Sequence, residues 1–582
     1  MRSHNSLRKK FTLSGVIGVL SLMTLLLAAC GGSGTASGSA QAAPDSQQVL
    51  HYVLNPGSID IATLDPQLTQ DLYSGTVVTM VFPGLITLNS KLAVTPWAAQ
   101  GMPTVSSDGL TYTFKVKPGL KFSDGEPIDA SAFAFAMNRA EDPCTASPVA
   151  YYLYPIKDAA TFNGETCNKE GNYSAAKGQT GPVIKSLIGD SIVVQDPQTL
   201  VVTLQQPASY FLEAMTYPTS YAVPQNLIAQ YGTQWINHLA DGSGFGGSLF
   251  KVTKWDHKGS LILQRNDAFW GTKPKLREID FTIYKSVETE YSAYLAGQND
   301  LGIPPTAQLA AAKKRSDFHQ TGVLSIDYYA MNWNMAPFND LRMRQAFDLA
   351  LDRNALANVV LHGSVIPSYH IVPQGMPGYD PNLTLPDGSQ NLNGDPAKAT
   401  QLEQQYVQQK CGGVASSCPP VTLTITSGSQ DITNEAAAAE AMWNKAFPGY
   451  PIKITSTDFN TLLSQLAVHK VQFWAIGWIA DYPDPQDWLT LQFVPSSSNN
   501  YGSVNVPQAT ALMTKADGEA NQTQRMKDYN TAEQLLVNQV AWLSLDQGTA
   551  PYTLRSWVHN FSIDAQGYVP LPDLANVYIS KH

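Results

Sequence analysis

Residues 473–489 read FWAIGWIADYPDPQDWL. The uncharged start of this run extends back to Val471 and predicts a buried strand over 471–479. Trp474, Ile476 and Trp478 share one face; Phe473, Ala475 and Gly477 share the other. The strand runs into a loop carrying three acids, Asp481, Asp484 and Asp487, with Pro483 and Pro485 stiffening it. Clustered carboxylates suggest acid/base or metal chemistry, whereas clustered aromatics suggest core. The position narrows the choice, because the carboxyl end of a strand is where α/β folds bind ligands. Asp484 reads as a turn or N-cap acid for a helix starting at Gln486. Asp481 reads as a loop acid, solvated or capping, unless something else assigns it a partner.

Working outward, the chain alternates short strands with amphipathic helices. Residues 111–117 alternate strictly, with Tyr112, Phe114 and Val116 on one side. A helix is predicted over 131–139 behind Asp129 as N-cap. Strands are predicted at 199–204, 250–255, 261–264, 278–284, 420–426 and 451–455. Helices are predicted at 339–361, 434–446, 462–468 and 524–540. Alternating β and α over this length argues for α/β domains, and 582 residues allow about two to four of them.

The N-terminus is a targeting signal. Arg2, Arg8, Lys9 and Lys10 precede an uncharged, mostly apolar run ending Leu27-Ala28-Ala29-Cys30. This resembles a bacterial lipobox, in which Cys30 is acylated and becomes the mature N-terminus; a plain membrane anchor is the alternative. Residues 30–48 then form a Gly/Ser/Ala tether. Loss of residues 1–29 would take the net charge from −10 to −14, which disfavours nucleic acid as a partner. The expected location is outside the cytoplasmic membrane, or in a periplasm, anchored through lipidated Cys30. Four further cysteines, Cys144, Cys167, Cys411 and Cys418, allow three pairings in an exported compartment. The two local pairs, Cys144 with Cys167 and Cys411 with Cys418, are expected, since each brackets loop-like sequence.

Enzyme signatures are largely missing. There is no H-E-x-x-H, no Walker A and no G-x-S-x-G, and the ten histidines do not pair at helical spacing. Gly242-Ser-Gly-Phe-Gly-Gly247 fits G-x-G-x-x-G, but a helix-like segment precedes it and a strand follows. A dinucleotide site needs the reverse order, so this is read as a turn.

Several segments, read in order, carry a resemblance. They are Thr63-Leu-Asp-Pro66, Val81-Phe-Pro-Gly-Leu85, Thr95-Pro-Trp-Ala-Ala99, Ser107-Asp-Gly-Leu-Thr-Tyr-Thr-Phe114 and Pro118-Gly-Leu-Lys-Phe-Ser-Asp-Gly-Glu-Pro127. Asn138-Arg139, Leu263-Gln-Arg-Asn266, Phe269-Trp-Gly271, Asn334 with Pro337-Phe338, Arg342-Met-Arg-Gln-Ala346, Ala350-Leu-Asp-Arg353 and Gly477-Trp-Ile-Ala-Asp-Tyr-Pro-Asp-Pro485 follow. In this order they resemble the extracellular solute-binding proteins of family 5, the oligopeptide- and dipeptide-binding subunits of ABC importers. The sequence departs from the family at Gly244–Phe250, which lacks the usual proline of the turn before the Trp strand.

The resemblance implies a periplasmic-binding-protein-like two-lobe α/β fold (class II) with an additional inserted domain. Lobe I would comprise 49–92, 200–305 and 548–582, the insert 93–199, and lobe II 306–547, with crossings near 305 and 547. It implies a monomer that closes on a peptide and presents it to permease subunits, with no cofactor, no metal and no catalysis. Asp481 would pair with the peptide's α-amino group, since a desolvated ammonium needs a counter-charge. Trp478 and Tyr482 would border the ligand. Asn334 would bond the peptide backbone or, equally, stabilise a turn. Arg342 and Arg344 are expected in structural salt bridges. The same scaffold could instead bind nickel, haem, an opine or an oligosaccharide. An exported hydrolase using the 481–487 acids is a third reading, although no facing acidic cluster offers itself.

Overall fold

The computed structural model describes residues 41–54 and 60–582. Cys30, the leader and most of the tether lie outside the described residues. Among those described, no helix is long and apolar enough to cross a membrane.

Three sheets organise the chain. The first has the order Val49–Leu54, Glu278–Ile283, Ser260–Arg265, Phe250–Trp255, with the first pair parallel and the others antiparallel. The second is antiparallel, in the order Thr104–Val105, Thr111–Lys115, Thr199–Thr203, Ile192–Asp196. The third runs Leu301–Gly302, Leu543–Leu554, Phe318–Met331, Phe473–Ile479, Val421–Thr426, Ile452–Thr457, with Ile366–Pro367 beside Leu543–Leu554. Its two long strands, Phe318–Met331 and Leu543–Leu554, pair over most of their length, with shifts at Gly322/Ile326 and Asp327/Tyr328.

Local chemistry explains most of these elements. Asp129 caps the helix Ala130–Glu141, its Oδ1 accepting from Ser131 N (2.9 Å) and Ala132 N (3.3 Å). Tyr112, Phe114 and Val116 face the core. The strand Phe473–Ile479 sits between apolar layers: Trp474 belongs to the buried cluster that also holds Leu324, Ile326 and Trp542, while Phe473 packs with Tyr329, Phe347 and Trp443. At Gly244 (φ +81°) a Cβ would lie 2.2 Å from Val252 O, because the chain doubles back onto the next strand at Phe245–Val252. The glycine-rich stretch is therefore a turn. The Thr63–Pro66 and Asn138-Arg139 segments meet: Arg139 grips Asp65 through Nη1 (2.8 Å) and Nη2 (2.6 Å), and Trp235 Nε1 donates to the same carboxylate (3.1 Å).

The structure departs from expectation in three places. The helix expected over 339–361 is broken: Leu341–Leu349 ends, and Asp352 caps a new start through Ala355 N (2.8 Å), leading into the π-turn Leu356–Val360. A capping acid there outweighs the apolar periodicity. The insert boundary drawn at 199/200 cuts a strand, because Thr199–Thr203 pairs with Thr111–Lys115 and so belongs to the second sheet. Arg342 does pair with Asp340 (2.6 Å). Arg344 does not pair with a carboxylate; its guanidinium donates to Phe338 O and Gln539 O (both 2.9 Å) and stacks 3.8 Å over Trp333. Asp487, within the short helical turn Pro485–Asp487, is fully buried. Cys144–Cys167 and Cys411–Cys418 are disulfide-bonded, each with Cα atoms 5.1 Å apart.

Candidate functional site

The loop after Ile479 lies where three segments meet. Ala480 N donates to Leu324 O (2.7 Å), continuing the strand pairing. Gln566, from the C-terminal segment, donates through Nε2 to Ala480 O (2.9 Å) and Asp481 O (3.0 Å). From the 150s, Tyr152 Oη donates to Asp481 Oδ2. The Asp481 carboxylate therefore sits at a contact between chain segments far apart in sequence.

The two neighbouring acids hold this loop. Asp487 Oδ2 accepts from Asp481 N (3.0 Å) and from Trp478 Nε1 (3.3 Å), while its Oδ1 is buried without a partner. Burial and the Asp481 charge push the Asp487 carboxyl well above the usual range. Asp484 caps the turn Pro485–Asp487 through Gln486 N (2.9 Å) and makes a buried bidentate pair with Arg525 (2.6 and 2.7 Å). Burial raises Asp481 to about 7, and the Tyr152 hydrogen bond partly offsets this. No basic side chain among the described residues counters that burial.

Around Asp481, segments distant in sequence meet through tyrosines. Tyr152 packs against Tyr217 (4.4 Å) and edge-on to Tyr482 (5.7 Å), and Tyr210 stacks on Tyr482 (6.3 Å). Ser209 N donates to Asp517 O (3.0 Å) across the same contact. A small cavity of about 50 Å³ touches Asp481 and is lined also by Tyr217, Tyr221, Asp564, Gln566 and Tyr568. A larger cavity of about 300 Å³ lies between the first and third sheets, lined by Tyr52, Leu54, Tyr73, Ser325, Ile479 and Tyr552 among others.

Of the residues singled out from sequence, Asp481, Trp478 and Tyr482 come together. Trp478 is half-buried and anchors the loop through Asp487. Tyr482 is buried in the tyrosine contact, its Oη donating to Gln486 Oε1. Asn334 is not brought to them. It is exposed, beyond Met331, at the far end of a strand whose Ser325 pairs with Ile479; its N–H donates to Asn332 Oδ1 (3.0 Å) in a turn. Tyr152, Tyr217 and Gln566 were not legible as site residues, although the run Tyr151-Tyr-Leu-Tyr154 was a visible aromatic signal.

Among the described residues, no group of His, Cys, Asp or Glu forms a metal-holding cluster. Comparison with known proteins agrees with this architecture. The family model described as "Bacterial extracellular solute-binding proteins, family 5 Middle" matches residues 93–500. The oligopeptide-binding protein OppA of Bacillus subtilis is 28% identical over 531 residues, covering 90% of this chain and 92% of its own. The probable deoxycholate-binding periplasmic protein YgiS of Escherichia coli is 28% identical over 548 residues, covering 92% and 94%. The crystal structure of Haemophilus influenzae OppA in complex with RPPGFSPFR superposes with a TM-score of 0.76 at 23% identity, covering 92% of this chain and all of that one. That likeness fixes the two-lobe fold. The chain belongs to the bacterial extracellular solute-binding proteins of family 5, a family of binding proteins and not of enzymes.

Proposed function

We propose that this protein captures peptides between its lobes and delivers them to an ABC importer. In this reading it is held at the outer face of the membrane through acylated Cys30. The observation that carries the peptide reading is Asp481: a carboxylate at an interlobe contact, desolvated, with no basic partner among the described residues. A ligand ammonium supplies the missing charge. Gln566 and Asp487 fix the backbone of Asp481 and so aim its side chain. Trp478 acts by holding that loop, and Tyr482 acts in the contact that closes the lobes. Asn334, at the distant end of the strand, is left out of the ligand contacts. An anionic solute such as a bile acid would face Asp481 with like charge, which favours an amine-bearing ligand.

The test is calorimetric titration of di- to pentapeptides into the mature protein. Free-amine peptides should bind, and Asp481→Asn should weaken them by at least tenfold, about 1.4 kcal/mol. Equal affinity for an N-acetylated peptide would overturn the role of Asp481. The anchor is tested separately: Cys30→Ser should release the protein from the membrane fraction and change its mature size.

A further inference from the structure

A third cavity, of about 330 Å³, lies on the Phe473 face of the third sheet. Its lining includes three carboxylates, Asp327, Asp431 and Glu435, together with Tyr329, Ala475 and Gly477. Glu435 is 8% exposed and Tyr329 1% exposed, yet Glu435 Oε1 and Tyr329 Oη have no hydrogen-bond partner. Behind them, Asp546 pairs in register with Asp327, and its buried Oδ1 is also unpartnered. Asp327 fits only because residue 477 is glycine: a Cβ there would lie 2.1 Å from Asp327 Oδ1.

Two bases nearby are committed elsewhere. Arg353, which reaches the strand Leu543–Leu554 at Ser544 O (2.6 Å), is paired with Asp348 (2.5 Å). Lys313 Nζ donates to Gly363 O (3.0 Å). Burial and mutual repulsion accordingly hold Glu435 up at about 8 and Asp546 well above the carboxylate range, while burial raises Asp327 to about 6. Such a group gains most from a cation that enters with its own donors. Among the described residues the carboxylates do not converge as metal ligands would, which favours an organic cation on a flexible stem.

The cavity is also lined by Ala475, Ile476 and Gly477, at one edge of their strand. Val421–Thr426 pairs with Phe473–Ile479 only at Phe473 and Trp474. Among the described residues, 475–479 therefore keep one strand edge without a partner, and an extended peptide can add there. From Asp481 back to Gly477 is four residues, about 13 Å along the strand.

We propose that this acidic cavity receives the cationic side chain of a lysine or arginine in the bound peptide, making the protein a receptor that prefers basic peptides. The proposal rests on the peptide reading above. The test uses tetrapeptides with a free amine, carrying lysine, arginine, norleucine or citrulline at position two, three or four. At one position, lysine or arginine should bind at least tenfold more tightly than its neutral counterpart. Glu435→Gln and Asp327→Asn should each shrink that ratio towards one. Asp481→Asn should weaken all the peptides together and leave the ratio standing. Comparable affinity of charged and neutral peptides at every position would overturn the proposal while leaving peptide capture intact. So would Glu435-dependent binding of calcium alone without any side-chain preference. Absence of binding by every peptide would refute both readings.

Discussion

Consider how peptide affinity should respond to pH. Burial pushes the Asp481 carboxyl up to about 7, and an α-amino group titrates at roughly 7.7–8.0. The pair forms only when the carboxylate is ionised and the amine protonated. Affinity should therefore pass through a narrow maximum between about pH 7 and 8. Below it, each pH unit costs about a factor of ten. At pH 5 roughly one molecule in a hundred carries the charge, so binding weakens about 100-fold, or about 2.7 kcal/mol. Above it the peptide loses its proton and affinity falls again. Tyr152 helps to set the position of the acid limb: its hydroxyl donates to the carboxylate and holds the titration down. Tyr152→Phe should shift the acid limb to higher pH. Asp481→Asn should flatten it, and an N-acetylated peptide should show neither limb. The assay is calorimetry from pH 5 to 9 with one free-amine peptide, with circular dichroism at each pH to confirm the fold. A constant dissociation constant between pH 5 and 7.5 would refute the reasoning, because the charge on Asp481 would then be irrelevant to binding.

Other expectations concern stability. Arg525→Leu leaves Asp484 buried without its bidentate partner and should destabilise by about 3–5 kcal/mol in urea unfolding; adding Asp484→Asn should recover part of the loss. Removing Cys144–Cys167, which closes a 23-residue separation, should cost about 3 kcal/mol; removing Cys411–Cys418, which closes 7, should cost about 2. Burial holds Glu290 at about 8 and Asp517 and Glu533 at about 7. Between the unfolded carboxyl range near pH 4 and these values, the folded chain binds more protons than the unfolded one. Stability should therefore rise as pH falls from about 8 to 5, seen as a higher melting temperature of the ligand-free protein.

Local pattern carried much of the fold. The strand Phe473–Ile479 and the Asp129 cap were legible because their determinants are neighbours in sequence. Features set by distant partners were not. Thr199–Thr203 looks the same whether it joins the first or second sheet, and its assignment depends on Thr111–Lys115. The break at Asp352 hides inside a helical periodicity. Arg344 finds carbonyls and an indole where sequence suggests only a generic acid. At the site, Asp481 stood out through its motif, yet Tyr152 and Gln566 reach it across 329 and 85 residues. Neither has a local signature that marks it as a neighbour. Asp487 is a similar case: it sits in a short helical turn, and only its hydrogen bonds to Asp481 N and Trp478 Nε1 show that it anchors the loop.

The tyrosine contact has a kinetic meaning. Tyr152, Tyr210, Tyr217 and Tyr482 join chain segments distant in sequence by touching one another. If the lobes close as proposed, part of the free energy of closure would come from contacts within the polypeptide itself. The more such contacts populate the shut conformation before binding, the less apparent affinity is lost to conformational selection. The corresponding disadvantage is discrimination: a transporter that senses closure alone would also meet vacant receptors, and productive encounters would depend on how long each kind stays shut.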